Sequence, residues 1–347
     1  MTNRNPYVIN FGRIPKQYIS RDIIIDEIVS SFDSDIVDEQ AFKITGIRGT
    51  GKTVTLTAIE KELSEDKDWI IVDLKPGADF TKDLVAKLYT DVPLLTSYVD
   101  ANLNLSAFGI GVNLSKKSPA ASIDAVLEDM LTHLKKKNKR VLITVDEARK
   151  TDSIVDFIQE FQILIRRELP IFLLVAGLYE DIESIENTDG LTFFLRATKY
   201  EMTPLNIGVI KEDYKQTLGL SDEVAYDLAV MSKGYAFAYQ AFGKYMWDEK
   251  SKTITPMVLA RVDDALAQKV YDKIWSELTP KDRWYLGFIV QKDSMDASEL
   301  LELTKKTHKD WSEPRKRLIE KGVIDGSIRG KITLKLPRFK EYVESLN

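Results

Sequence analysis

Residues 41–63, AFKITGIRGTGKTVTLTAIEKEL, constrain the fold more than any other stretch. A short apolar run feeds a turn carrying Gly46, Gly49 and Gly51, and Lys52 and Thr53 then open an amphipathic pattern. Glycines let backbone amides converge on an anion without interference from Cβ, and a helix N-terminus adds partial positive charge. The turn residues Gly46, Ile47, Arg48, Gly49, Thr50, Gly51, Lys52, Thr53 and Val54 are therefore expected to cradle phosphate. Lys52 would reach the outer phosphates of ATP, and the Thr53 hydroxyl would bind Mg²⁺. Such a turn works only with a strand before it and a helix after it, so it selects an α/β core.

The first two hundred residues fit that core. Ala41 to Ile47, Trp69 to Leu74, Arg140 to Val145 and Ile171 to Ala176 read as short buried strands. Between the second and third, Ile123, Val126, Leu127, Met130, Leu131 and Leu134 share one helical face, and Lys135, Lys136 and Lys137 close it where cations suit the helix dipole. Strands alternating with helices predict a parallel sheet. ANLNLSAFGIGVNLSKK, residues 101–117, breaks the rhythm and reads as an inserted β-hairpin, either an edge extension of the sheet or a contact for a partner or neighbouring subunit. From about Pro204 the strands stop. Residues 206–275 are helix-forming, with Ser221-Asp222-Glu223 capping one apolar pattern. Residues 276–347 give helix 297–305, helix 313–321 closed by Gly322, and then VIDGSIRGKITLKL alternating about two glycines, the plan of a winged helix-turn-helix. The expected segments are thus 1–40 leading in, an α/β core at 41–205, a helical lid at 206–275 and a winged helix at 276–347.

With 347 residues the chain exceeds what one core usually supports, and 44% hydrophobic content excludes wholesale disorder. It contains no apolar run of membrane-spanning length and begins MTNRNPYVINFG, without an export-signal layout, so a soluble cytoplasmic protein without a membrane partner is expected. The absence of cysteine excludes disulfides and thiolate metal sites. The net charge of -5 is uneven: residues 299–347 carry 12 Lys/Arg against 8 Asp/Glu, or +4, leaving -9 for the remainder.

Downstream of the turn, VLITVDEA places Asp146 and Glu147 at the C-terminal end of a buried strand, where open α/β sheets bind ligands. Asp146 is the expected Mg²⁺ ligand, and Glu147 the residue that polarises the attacking water.

GIRGTGKT and VLITVDEA resemble the Walker A and Walker B motifs of AAA-plus P-loop ATPases. NPYVINFGRIPKQYISRDIIIDEI is similar to the opening segment of the origin-recognition and STAND branches, FLLVAGLYEDI to their fourth core strand, KGYAFAYQAFGKYMW to their lid motif, and LIEKGVID with RGKITLKLPRFKEYV to their terminal winged helix. The likeness implies ATP binding and hydrolysis, a helical lid and a switch driven by nucleotide state. It also puts Arg196, in FFLRATKYEMTPL, where an arginine reaches across a subunit boundary, with Arg149 a weaker candidate. In the lid, Lys233 and Lys244 could approach phosphate, although a solvated face accounts for both. Three departures stand out. The lid proline of the family is Ala236, the glycine before Arg21 is Ser20, and Val175-Ala176-Gly177 replaces the polar sensor, which implies slow hydrolysis.

At the basic end, Ser312 is expected to cap a recognition helix with Pro314 in its first turn, followed by Arg315, Lys316 and Arg317. Lys305, Lys306 and Lys309 precede it, and Arg329 and Lys331 fall in the wing. Such cations can bind duplex DNA through its phosphates, in a salt-sensitive way. A protein partner or a homo-oligomer is the other reading, as in a signalling or defence-type switch, and a nucleotide-held scaffold is a third.

Overall fold

The computed structural model describes residues 4–10, 15–34, 37–77, 79–102, 122–292 and 294–346; of the hairpin expected at 101–117, residues 101 and 102 end helix Pro93–Asn102 and the rest lies outside the described residues. The chain divides into two compact units, one of residues 21–46 and 52–201, the other of residues 1–20, 47–51 and 202–347.

The first unit is built on a five-stranded parallel sheet in the order β2-β3-β4-β1-β5. Its strands are β1 (Ala41–Thr45), β2 (Trp69–Asp73), β3 (Arg140–Val145), β4 (Ile171–Gly177) and β5 (Thr198–Glu201). β1 and β4 are buried throughout, as expected of strands covered on both faces. β5 lies at the edge, polar and largely exposed. The helices begin where short polar side chains accept orphan amides: Asp79 from Lys82, Ser122 from Ala125 and Thr151 from Ile154. The predicted face of Val126, Leu127, Met130, Leu131 and Leu134 on helix Ile123–Lys135 is buried in one core with Phe80, Phe157 and Phe161. Phe80 and Phe157 stack there at 5.6 Å.

The second unit is helical, with a small sheet. Helices Ile207–Leu218, Asp222–Met231, Ala236–Asp248 and Pro256–Leu266 come first, and Ser221 caps the second of them as expected. The N-terminal residues are pinned onto these helices by one buried carboxylate. Asp213 accepts from Tyr7 Oη at 2.6 Å, Tyr239 Oη at 2.8 Å, Thr217 Oγ1 at 3.1 Å and also from Gln17. Further on, helix Pro280–Ile289, β6 (Ser294–Asp296), helices Ala297–Thr304 and His308–Glu320, β7 (Ile324–Asp325) and β8 (Lys331–Leu334) form a helical cluster with an antiparallel β6-β8-β7 sheet.

One boundary differs from expectation. The basic helix starts at His308, not near residue 313, because Thr307 and Asp310 form a reciprocal capping box, and Pro314 lies inside the helix rather than in its first turn. Among the described residues, no helix is long and apolar enough to cross a membrane.

Candidate nucleotide-binding site

β1 ends at Thr45, and helix Lys52–Ser64 begins at the predicted lysine. In the sheet unit, Lys52 Nζ donates to Gly46 O at 2.8 Å, and Thr53 Oγ1 donates to Asp146 Oδ2 at 2.6 Å. The other oxygen of Asp146 accepts from the Glu147 amide at 2.9 Å. Glu147 has a positive φ of 52°, uncommon for a side chain of its type, and its carboxylate is exposed beside Arg149. The bend brings Ala148 N to Ala176 O at 2.9 Å. Gly177 permits this approach, since a Cβ there would lie 3.0 Å from the Ala148 carbonyl oxygen.

Sequence reasoning passed over two further carboxylates of this unit. Glu60, on the helix after Lys52, accepts from Thr144 Oγ1 at 2.5 Å, and Asp73 ends β2. Burial pushes the Glu60 carboxyl up; the Thr144 hydrogen bond opposes this, and Asp73 and Asp146 reinforce it. Asp73 is likewise raised by burial, with Lys87 and Lys75 opposing and Asp146 adding. The adjacent Thr53 hydroxyl and Asp146 carboxylate are hard oxygen donors of the kind Mg²⁺ takes. Among the described residues no group of three His, Cys, Asp or Glu is arranged to hold a metal. Mg²⁺ bound through one carboxylate together with substrate phosphates needs no such cage.

Residues 47–51 belong to the helical unit, where their surroundings are equally specific. The Tyr235 hydroxyl donates to Arg48 O, and Phe237 N donates to Gly49 O at 3.0 Å. Gly49 is at φ +76°, and a Cβ on it would meet the Tyr235 hydroxyl at 2.2 Å, so glycine is required twice over. Arg48 Nη2 lies 3.4 Å from Glu277 Oε1, a carboxylate also reached by Lys321 at 2.9 Å and Lys273 at 3.2 Å. Burial raises the Glu277 carboxyl, but its hydrogen bond and ion pair with Lys321, aided by Lys273 and Arg48, hold it below its ordinary value. Helix Ala236–Asp248, on the segment expected to be a lid, starts at Ala236 itself with Tyr235 as its N-cap.

A family model described as an AAA domain matches residues 36–199. Over residues 36–199 the chain has the fold of an AAA domain. A second model, a Domain of unknown function (DUF8462), matches residues 268–343. Among solved structures, the Aeropyrum pernix ORC2 protein in its ADPNP-ADP complexes matches with a TM-score of 0.60 and 15% identity, over 97% of this chain and 96% of that one. Cdc6p from Pyrobaculum aerophilum matches with a TM-score of 0.50 and 14% identity, over 97% and 96% of the two chains. At these identities the likeness is one of fold. Nothing among curated proteins matches the sequence.

Near the C-terminal end of the AAA domain, Arg196 ends the one-turn helix Thr192–Arg196, exposed and without an ion pair among the described residues. In the same domain β4 ends in buried Val175 and Ala176, whose side chains carry no hydrogen-bonding group. Outside it, Lys233 donates to Leu334 O at 2.8 Å, and Lys244 pairs with Asp248 at 2.9 Å.

The basic residues beyond the AAA domain fall into two groups. Lys305, Lys306, Lys309, Lys316, Arg329 and Lys331 are exposed, with Lys316 3.7 Å from Glu320. Arg315 is half-buried, its Nη2 3.5 Å from Gly326 O. Arg317 is committed elsewhere. Its Nη2 donates to Asp282 Oδ1 at 2.8 Å and its Nε to Oδ2 at 3.0 Å, and the Asp282 side chain has no exposure at all. Burial pushes the Asp282 carboxyl up, but the Arg317 and Thr279 hydrogen bonds outweigh it and hold the group below the usual carboxylate range.

Proposed function

We propose that the chain binds ATP with Mg²⁺ at residues 46–53 and Asp146, hydrolyses it slowly, and uses nucleotide state to switch a C-terminal winged helix that contacts duplex DNA. The observation that carries this reading is the 2.6 Å contact between Thr53 and Asp146, which lie 93 residues apart, at the head of a helix opened by Lys52. Bound Mg²⁺ would supply positive charge to the phosphate oxygens. Lys52 and the loop amides hold the phosphates, Asp146 orients the Thr53 hydroxyl, and Glu147 takes up the proton of the attacking water. The apolar end of β4 supports slow turnover, because neither Val175 nor Ala176 can bond the terminal phosphate through its side chain. The ADPNP and ADP named for the Aeropyrum structure support a nucleotide ligand.

The links from Tyr235 and Phe237 to Arg48 and Gly49 support a route by which the phosphate-binding loop signals to the lid helix. Helix His308–Glu320 with the β7-β8 wing supports the winged-helix reading, and the exposed lysines around it support phosphate contact. Exposed Arg196 supports action on nucleotide held by a second copy, to stabilise charge in phosphoryl transfer. A second reading, a protein-directed switch, is favoured by the commitment of Arg317 to Asp282 and by Ile328, 60% exposed between β7 and β8.

The test is phosphate release by wild type, Lys52→Ala and Glu147→Gln, together with anisotropy of labelled duplex DNA at low and moderate salt. Expected are nucleotide-dependent turnover lost in both variants and DNA affinity that falls steeply with salt. If Glu147→Gln releases phosphate at the parental rate, the hydrolytic assignment fails. DNA binding that ignores salt and the exposed lysines favours the protein-directed reading.

A further inference from the structure

Lys43 stands in the middle of β1, an interior strand of the sheet, in register with Val175 of β4 and Lys199 of β5. Its side chain has no exposure. Parallel strands covered on both faces are ordinarily lined by aliphatic residues, and a buried ion pair is seldom more stable than apolar side chains of similar volume. Stability alone therefore does not account for a lysine here; what it touches does. Lys43 Nζ reaches Glu186 Oε1 at 2.7 Å, Phe194 O at 2.6 Å and Leu195 O at 3.3 Å, and sits 4.9 Å from the centre of the Phe194 ring. The second oxygen of Glu186 binds Lys199 Nζ at 2.8 Å.

The two carbonyls belong to the residues immediately before Arg196, in a helix of only 5 residues. So short a helix has little stability of its own, and its last carbonyls lack partners within it. Phe194 O also accepts from Ala197 N at 3.2 Å, and Lys43 adds a side-chain donor to both carbonyls. Glu186 holds the ammonium in place, and Lys199 ties the pair to β5, the strand that begins two residues after Arg196.

We propose that Lys43 is a positioning residue for Arg196: by binding the Phe194 and Leu195 carbonyls it fixes the direction in which the guanidinium is offered to a nucleotide held by another copy of the chain. The inference rests on the reading of Arg196 given above, and the experiment separates the two.

Two inactive chains are mixed, each lacking what the other has. The recipient, Arg196→Ala, keeps its own nucleotide residues; the donor, Glu147→Gln, keeps Arg196 but cannot hydrolyse. Phosphate release by the mixture above that of either chain alone establishes action between copies; if none appears, both the Arg196 reading and the present proposal fall. Lys43→Met with Glu186→Gln, which removes both charges and orphans neither, is then placed in one partner at a time. In the donor it should cut complementation by roughly tenfold or more, since small misplacement of a charge-stabilising group is costly in rate. In the recipient, which has no Arg196 to position, it should change nothing. A merely structural role would harm both arms alike, and equal loss, or no loss in the donor, overturns the proposal while leaving the Arg196 reading intact. Should the double variant not fold, by circular dichroism, Lys43→Gln replaces it, being too short to reach the carbonyls while still able to bond Glu186.

Discussion

The two units treat their charged groups in opposite ways. At the strand ends of the sheet unit, Asp146 and Thr53 touch each other and little else, Glu147 is exposed, and the nearby Glu60 and Asp73 carboxyls are raised by burial and mutual repulsion. In the helical unit, carboxylates of the same type are saturated: Asp282 takes two hydrogen bonds from Arg317, and Asp213 accepts from four side chains. Charge concentrated at the end of a parallel sheet is what the proposed nucleotide and Mg²⁺ would use. Charge that already has its partners belongs to the fold. Charge in a sequence therefore differs from charge on offer, and the difference can be broken or sharpened by substitution.

The largest effect should be functional and confined to the sheet unit. Glu147→Gln is expected to slow phosphate release by about 100-fold or more, the ordinary worth of a general base, while leaving the melting temperature unchanged because its side chain is exposed and makes only a 4.0 Å contact with Arg149. A large fall in melting temperature would place Glu147 with the structural carboxylates and break the comparison.

Asp282→Asn should do the reverse, destabilising the fold by about 3 kcal/mol because it breaks the paired hydrogen bonds of Arg317 with a fully buried carboxylate and leaves Arg317 the longer 3.9 Å contact with exposed Glu313, with nucleotide affinity retained. Its pH signature has a definite sign. The carboxyl is held below its ordinary value in the folded protein, so the stability it contributes is present above about pH 4 and is lost as pH falls through the depressed folded value. Acid denaturation followed by tryptophan fluorescence should shift to higher pH in the variant. Asp213→Asn should cost less, about 2 kcal/mol, because an amide oxygen can still accept from Tyr7 and Tyr239. Its melt should drop with phosphate release per folded molecule intact.

How far all this was legible follows from the same physics. β1 to β4 could be read because parallel interior strands are apolar runs bounded by turns. The residues of β5, Thr198–Glu201, are polar because one edge faces solvent, and no apolar run marks a strand there. The loop and the pair of acids could each be read because each is a short contiguous motif, although 93 positions separate Thr53 from Asp146. Tyr235 against Gly49 could not, being a contact across 186 positions that only the fold creates. Lys43 was hidden inside an apolar run, where periodicity counts it as an exception. The basic helix was started too late because Pro314 suggested a first turn, whereas the Thr307 and Asp310 box satisfies amides five residues earlier in a helix that contains the proline. Arg317 was counted with its neighbours because nothing in the sequence ties it to Asp282, 35 residues away.

That last residue yields the smallest and sharpest prediction. Lys316 and Arg317 are adjacent and alike in charge, yet the first is exposed and the second is held by a buried carboxylate. If duplex DNA is bound through phosphates, Lys316→Ala should weaken binding by about 0.5–1 kcal/mol and reduce the slope of log affinity against log salt by about one. Arg317→Ala should leave that slope unchanged, and whatever affinity it loses should follow its loss of thermal stability. The two slopes, measured by anisotropy between low and moderate salt, decide the matter. Equal slope changes would mean that Arg317 leaves Asp282 to meet phosphate. That would make the Arg317–Asp282 pair a releasable latch, and the saturated charges of the helical unit would no longer stand apart from those at the strand ends.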